Sequence, residues 1–199
     1  MKVYHGGYTK VREIDLKKCR AGRDFGQAFY LSNSRFHAEE CARQRIEGVT
    51  GGEKIATDTL EMRGMIFCIG NTPVQEEDDS EQWKIARMNG SKGVITEFDF
   101  NEEAFNDKSL EIIRFEAYTE DWLNFVIFNR IYAVVHGWRH KFDIVEGPIA
   151  EDKVIRRVYA HVFGLTTWEQ AVEELKAFPY THQIALCTEK ALKMVEFIG

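Results

Sequence analysis

Between Asp152 and Pro179 two helical patterns follow one another with no strand between them. In DKVIRRVYAHVFG the residues Val154, Ile155, Val158, Tyr159 and Val162 recur at helical spacing, and Gly164 supplies a stop. In TWEQAVEELKAF the residues Trp168, Ala171, Val172 and Leu175 share a face, Thr167 and Gln170 have capping-box spacing, and Pro179 prevents continuation. Consecutive helices are incompatible with strict strand–helix alternation, so an α+β class is expected rather than a doubly wound parallel sheet.

The remaining signals fit that class. Strands are expected at residues 2–5, 28–34 (AFYLSNS), in GVITEFDF with its period-two alternation, in LEIIRFEA, in FDIVEGPIA up to a Gly-Pro turn, and in HQIALC. SRFHAEECARQRIE suits a helix capped by Ser34, with Phe36, Cys41, Ala42 and Ile46 on its apolar face. TEDWLNFVIFNRI is expected to start at a Thr119 cap, with Glu120 and Asp121 where the helix dipole favours anions. Its apolar face carries Trp122, Phe125, Val126 and Asn129. Shorter helices are expected at EQWKIARM and, behind Thr188, at TEKALKMV, after which the apolar tail returns to the sheet. Residues 48–81, with GVTGG and the acidic run TPVQEEDDSE, break the pattern and read as an insertion holding one short strand near MIFCIG. The 199 residues suit a single domain, and 44% hydrophobic content is enough for a real core.

Several function classes are disfavoured. A net charge of −6 is the wrong sign for non-specific nucleic-acid binding. The cysteines Cys19, Cys41, Cys68 and Cys187 form no CxxC pair. There is no secretory-signal pattern and no run of about 18 apolar residues, so a cytoplasmic location with reduced thiols and no membrane span is expected. No phosphate loop, GxGxxG turn or GxSxG elbow occurs. His136 and His140 stand four apart in HGWRH, but the glutamate of a zinc-protease motif is absent and no metal is expected.

Three short segments each place a polar or aromatic group on a strand: VYHGG at residues 3–7, GQAFYLS at 26–32 and HQIALC at 182–187, followed by TEKAL. Their order resembles the ADP-ribosyltransferase superfamily, in the branch with a histidine, a tyrosine and a third polar residue on three core strands. The likeness extends to a set of bacterial domains assigned to that superfamily, through GRDFGQAFYLS, EDWLNFVIFNR, DIVEGPIAEDKV and QIALCTEKAL, and covers most of the chain outside 48–81.

The resemblance implies a split mixed or antiparallel sheet with flanking helices, and NAD as co-substrate. It implies that His5 holds a ribose hydroxyl, that backbone at Gly6 pairs with the nicotinamide amide, and that Tyr30 stacks on nicotinamide. Gln183 would position the reacting ribose, where a glutamate is common in the superfamily. A glutamine accepts a hydrogen bond through its amide oxygen but cannot act as a general base. Transfer of a single ADP-ribose with release of nicotinamide is therefore expected, to a protein or small-molecule acceptor rather than a nucleic acid. Arg23 is expected to meet the NAD diphosphate, or else to pair with Asp24. Ser32 closes the tyrosine strand within the same site. Asp152 either supplies a carboxylate or caps its helix, and Asn129 and Arg130 are expected near the cleft. The alternatives are a module on the same fold that binds NAD or ADP-ribose, or a protein, without chemistry, and, more remotely, a phosphotransferase acting on RNA ends.

Overall fold

The computed structural model describes residues 1–47, 59–62, 65–68, 90 and 92–199. The fold is mixed α/β, built on one seven-stranded sheet. Its strands are β1 (Lys2–Gly7), β2 (Phe29–Ser32), β5 (Val94–Phe100), β6 (Ile112–Arg114), β7 (Ile144–Pro148), β8 (His182–Leu186) and β9 (Val195–Phe197), in the spatial order β6-β7-β8-β2-β1-β5-β9. β6 and β7 run parallel and all other pairs are antiparallel. Two further strands, β3 (Thr59–Met62) and β4 (Met65–Cys68), pair only with each other. Apart from this pair, the expected insertion at 48–81 and the expected helix at EQWKIARM lie outside the described residues.

Strand alternation divides the core into two layers. Cross-strand partners point the same way, so Ile113, Val145, Ala185 and Tyr30 share one face, and Ser32, Gln183 and Gly147 continue it. That face packs under Trp122, Leu123 and Val126 of helix α2 (Glu120–Ile127), Val154 and Val158 of α4 (Asp152–Val162), and Ala171 and Leu175 of α5 (Trp168–Lys176). The other face carries Val3, Phe29, Leu31, Phe98, Ile144, Ile184 and Leu186. The two consecutive helices read from the sequence are α4 and α5.

The expected caps are present. Thr119 accepts from the Trp122 amide, Thr167 and Gln170 form both halves of a capping box, and Thr188 accepts from the Ala191 amide at α6 (Glu189–Leu192). Gly164 stops α4 with φ +70°, and the chain tail returns as β9 against β5. Three expectations need correction. α4 begins at Asp152 with Glu151 in the cap position and no side-chain cap bond, so Asp152 is not the cap. Phe36 is 73% exposed: α1 (Arg35–Glu47) lies so close to the sheet that only Ala38, Ala42 and Ile46 fit between them. His136 and His140 do not share a helical face, because α3 (Ala133–His136) ends at Gly137, which is left-handed with φ +65°.

β1 and β2 meet at a single pair, Tyr4 with Ser32, whereas β1 pairs with β5 from Lys2 to Gly7 and β2 with β8 along its whole length. The sheet is therefore joined at its centre by one rung and parts beyond it.

Candidate functional site

The three motif strands are neighbours at this seam. Past the Tyr4–Ser32 rung, β1 no longer offers backbone to β2, and the Tyr30 carbonyl is met by the His5 ring, Nδ1 lying 2.9 Å from the oxygen. A carbonyl only accepts, so Nδ1 carries the hydrogen and Nε2 is left as the lone-pair nitrogen of the neutral ring. Burial, reinforced by the Arg45 guanidinium, pushes the imidazole pKa down to about 3. The ring also stacks on Phe29, with centroids 4.4 Å apart. His5 thus lies on the face opposite Tyr30 and Gln183, a consequence of period-two alternation from Val3. Across the seam it meets the backbone carbonyl of Tyr30 and not the side chains of that face.

His5 should shape the acid limb of stability. Its pKa is lower in the folded protein than the 6.5 of a free side chain, so the unfolded chain binds the extra proton. The stability held above pH 6.5 is lost as pH falls toward 3, at up to about 1.4 kcal/mol per pH unit for one proton. Urea titrations from pH 7 to pH 4 should show a smaller loss in His5→Asn than in the natural chain. Parallel curves would sink this assignment.

Gly6 has a reason of its own. A Cβ there would lie 1.9 Å from the Ala38 carbonyl oxygen and 2.9 Å from the Ala42 amide of α1. Gly93 sits under the same helix with φ +93°, where a Cβ would meet Ala42 at 2.6 Å. The glycine beside the histidine therefore lets α1 rest on β1, a role distinct from the approach to a nicotinamide amide that the resemblance implies.

On the opposite face the floor is Tyr30, Ser32 and Gln183, the last two directly paired across β2 and β8. The Tyr30 hydroxyl donates to the Gly26 carbonyl at 2.8 Å and accepts from the Phe25 amide at 3.0 Å, which fixes the ring and the loop before it. Burial, with the Asp24 charge adding to it, pushes the phenol well above its ordinary pKa. Gln183 is 8% exposed and donates through Nε2 to Asp24 Oδ2 at 2.8 Å. Asp24 also accepts from the Ala150 amide at 2.9 Å and from Arg130, whose Nε and terminal nitrogen lie 2.7 and 2.6 Å from Oδ1. Burial opposes charge on Arg130, but the Asp24 carboxylate outweighs it and the pKa is raised.

Arg23 differs. Asp24 turns to Arg130 instead, and Arg23 makes no ion pair among the described residues. Its pKa is lowered to about 10, first by burial and then by the guanidinium charges of Arg130, Arg45 and Arg20. Arg130, Arg45 and Arg20 are thus within electrostatic reach of Arg23 in a chain whose net charge is negative. Arg45 follows His37 and Cys41 on α1 at four-residue steps. The Cys41 sulfur lies 3.3 Å from His37 Nε2, and both groups are held neutral, chiefly by burial.

Asn129 lies inside the fold, beside the loop that precedes Tyr30. It is 1% exposed within the π-helical turn Phe128–Tyr132, donates to the Phe125 carbonyl at 2.9 Å and sits against Gly26, whose φ is +85°. Asp152 opens α4. The carboxylate beside Gln183 is Asp24, which sequence reasoning took only as a possible partner of Arg23. Its one sequence signal is its place in the loop that enters the tyrosine strand. Among the described residues no group of three His, Cys, Asp or Glu side chains is arranged to hold a metal ion.

Residues 1–69 and 67–197 match a family model described as "Protein of unknown function (DUF3990)". The chain belongs to the DUF3990 family. No curated protein and no solved structure matches it. Of the candidate residues, His5, Arg23, Asp24, Tyr30 and Ser32 lie in the first matched segment, and Arg130 and Gln183 in the second. No helix among the described residues is long and apolar enough to cross a membrane.

Proposed function

We propose that this DUF3990 chain is an NAD-dependent mono-ADP-ribosyltransferase on an ADP-ribosyltransferase-like fold, with Arg23 as the principal diphosphate ligand. The observation that carries the reading is the adjacency of the histidine, tyrosine and glutamine strands, with Arg23, which makes no ion pair among the described residues, in the loop before Tyr30. Burial and neighbouring guanidiniums oppose the charge on Arg23, and a bound dianion favours it. His5 Nε2 has the lone pair needed to accept from a ribose hydroxyl. Tyr30, with its hydroxyl anchored on the loop, offers its ring for stacking against nicotinamide. Gln183, with its amide nitrogen directed to Asp24, has its oxygen for the 2′-hydroxyl of the reacting ribose.

In the reaction the bond from ribose C1′ to the pyridinium nitrogen breaks, and nicotinamide leaves with the bonding pair. The acceptor's lone pair takes C1′ and its proton passes to solvent. Asp24 adds negative potential beside Gln183, but its oxygens are already engaged by Arg130, Ala150 and Gln183, so it is not positioned as a base. A protein or small-molecule acceptor that is itself nucleophilic suits such a site.

The same engagement of Asp24 favours a second reading, an NAD-binding module without turnover. Nicotinamide release by the natural chain separates the cases, and Arg23→Ala tests the NAD site they share. The natural chain incubated with NAD should release nicotinamide, measured by chromatography. Arg23→Ala should release at least tenfold less while its urea midpoint stays the same or rises. Thermal stabilisation by NAD without nicotinamide release would establish the binding module. Neither stabilisation nor release would end both readings.

A further inference from the structure

A glycine inside a strand marks a bulge, the close approach of other backbone, or the approach of a ligand. Gly6 is of the second kind, with α1 resting on it. Gly7, the last residue of β1, is of neither of the first two. β1 pairs with β5 residue for residue from Lys2–Asp99 to Gly7–Val94, so there is no bulge. The backbone of Gly7 is not left-handed, and a Cβ there would find its nearest atom, the Thr9 carbonyl oxygen, at an ordinary 3.4 Å. The fold thus has room for a methyl at residue 7. It carries instead a glycine, which weakens a strand through backbone entropy.

The next two neighbours of that Cβ are functional groups. His5 Nε2 would lie 3.7 Å from it and Arg45 Nη1 3.8 Å. The imidazole nitrogen with the lone pair and a guanidinium therefore flank the same bare spot on β1. The spot lies past the Tyr4–Ser32 rung, where β1 pairs only with β5 and its other edge borders the seam. Gly7 is buried, and its cover includes the end of the long, exposed Arg45 side chain. The two flanking groups ask for different atoms. A neutral imidazole nitrogen accepts a hydrogen bond, and His5 stays neutral at any pH well above 3. A guanidinium only donates, and favours an anionic oxygen. A ligand that satisfies both presents a hydroxyl and an anionic oxygen a few bonds apart, as a ribose with its own phosphate does.

We propose that Gly7 and Arg45 belong to the NAD site: the ribose hydroxyl that donates to His5 Nε2 rests over Gly7, and Arg45 binds an oxygen of the phosphate on that same ribose. This assignment rests on the NAD reading and deepens it. Arg45 is within electrostatic reach of Arg23, so the two divide the diphosphate between them. A methyl at residue 7 would fill the gap between hydroxyl and phosphate and leave the fold intact.

Calorimetric titration of the whole chain with ADP-ribose, run beside nicotinamide release from NAD, is the test. Arg45→Gln is expected to weaken ADP-ribose binding about tenfold or more, the loss that goes with a charge-assisted hydrogen bond. Gly7→Ala is expected to weaken it by a similar factor, while the urea midpoints of both variants stay at that of the natural chain. Affinity within about threefold of the natural chain in either variant overturns the assignment. So does a midpoint for Gly7→Ala well below the natural one, which would make the glycine a packing requirement. If these losses fail to appear while the natural chain releases nicotinamide, the NAD reading stands and the roles of Gly7 and Arg45 fall. A natural chain that neither binds ADP-ribose nor releases nicotinamide ends both.

Discussion

Gly6→Ala is expected to destabilise the fold by about 3 kcal/mol or more, at the upper end of overpacking costs. The new methyl would stand 1.9 Å from the Ala38 carbonyl oxygen, and that neighbour is helix backbone, which cannot rotate away. Relief requires lifting α1 from β1, and α1 is also seated on Gly93 through Ala42. The adjacent glycine supplies the control. A Cβ at Gly7 would find its nearest atom, the Thr9 carbonyl oxygen, at 3.4 Å, an ordinary contact distance. Gly7→Ala should therefore shift the urea midpoint little, at a cost of less than about 1 kcal/mol. Equal stability of the two variants would refute the helix-seating role of Gly6.

Asp24→Asn should cost about 3–5 kcal/mol, the usual consequence of removing one member of a buried ion pair. The substitution keeps the shape of the side chain. It leaves the Arg130 guanidinium, only 19% exposed, without its carboxylate, and weakens acceptance from the Ala150 amide and from Gln183. If the pair is the main term, Arg130→Met added to Asp24→Asn should restore part of the loss, and the double-mutant cycle should return a coupling above about 1 kcal/mol. An Asp24→Asn midpoint within about 1 kcal/mol of the natural chain would mean that water, not Asp24, holds Arg130. The result bears on the site as well, because Asp24 is what directs the Gln183 amide and draws Arg130 toward Arg23.

These two positions show what could be read from the sequence and what could not. The α+β class followed from consecutive helical periods at 152–179, since periodicity and capping residues are local properties. For the same reason the caps at Thr119, Thr167 and Thr188 were legible, as were the strands around His5, Tyr30 and Gln183. Asp152 was misread because Glu151 and Asp152 are both plausible helix starters, and backbone geometry chose between them. Phe36 was misread because an apolar residue on a helical pattern was assigned to the core, while the buried face of α1 is Ala38, Ala42 and Ile46.

The partners of each site residue were a tertiary matter. The chain itself determined that an imidazole, a phenol, an amide and a set of guanidiniums would be available on short strands and loops, together with the turns that start and stop its helices. Only the folded sheet decided that β1 and β2 part after one rung, so that His5 crosses to the Tyr30 carbonyl. Only the fold decided that Asp24 serves Arg130 and Gln183 and leaves Arg23 to its repelling neighbours. Helix and turn signals act over a few residues, whereas these contacts join positions 25, 106 and 159 residues apart and exist only once the two core layers have packed.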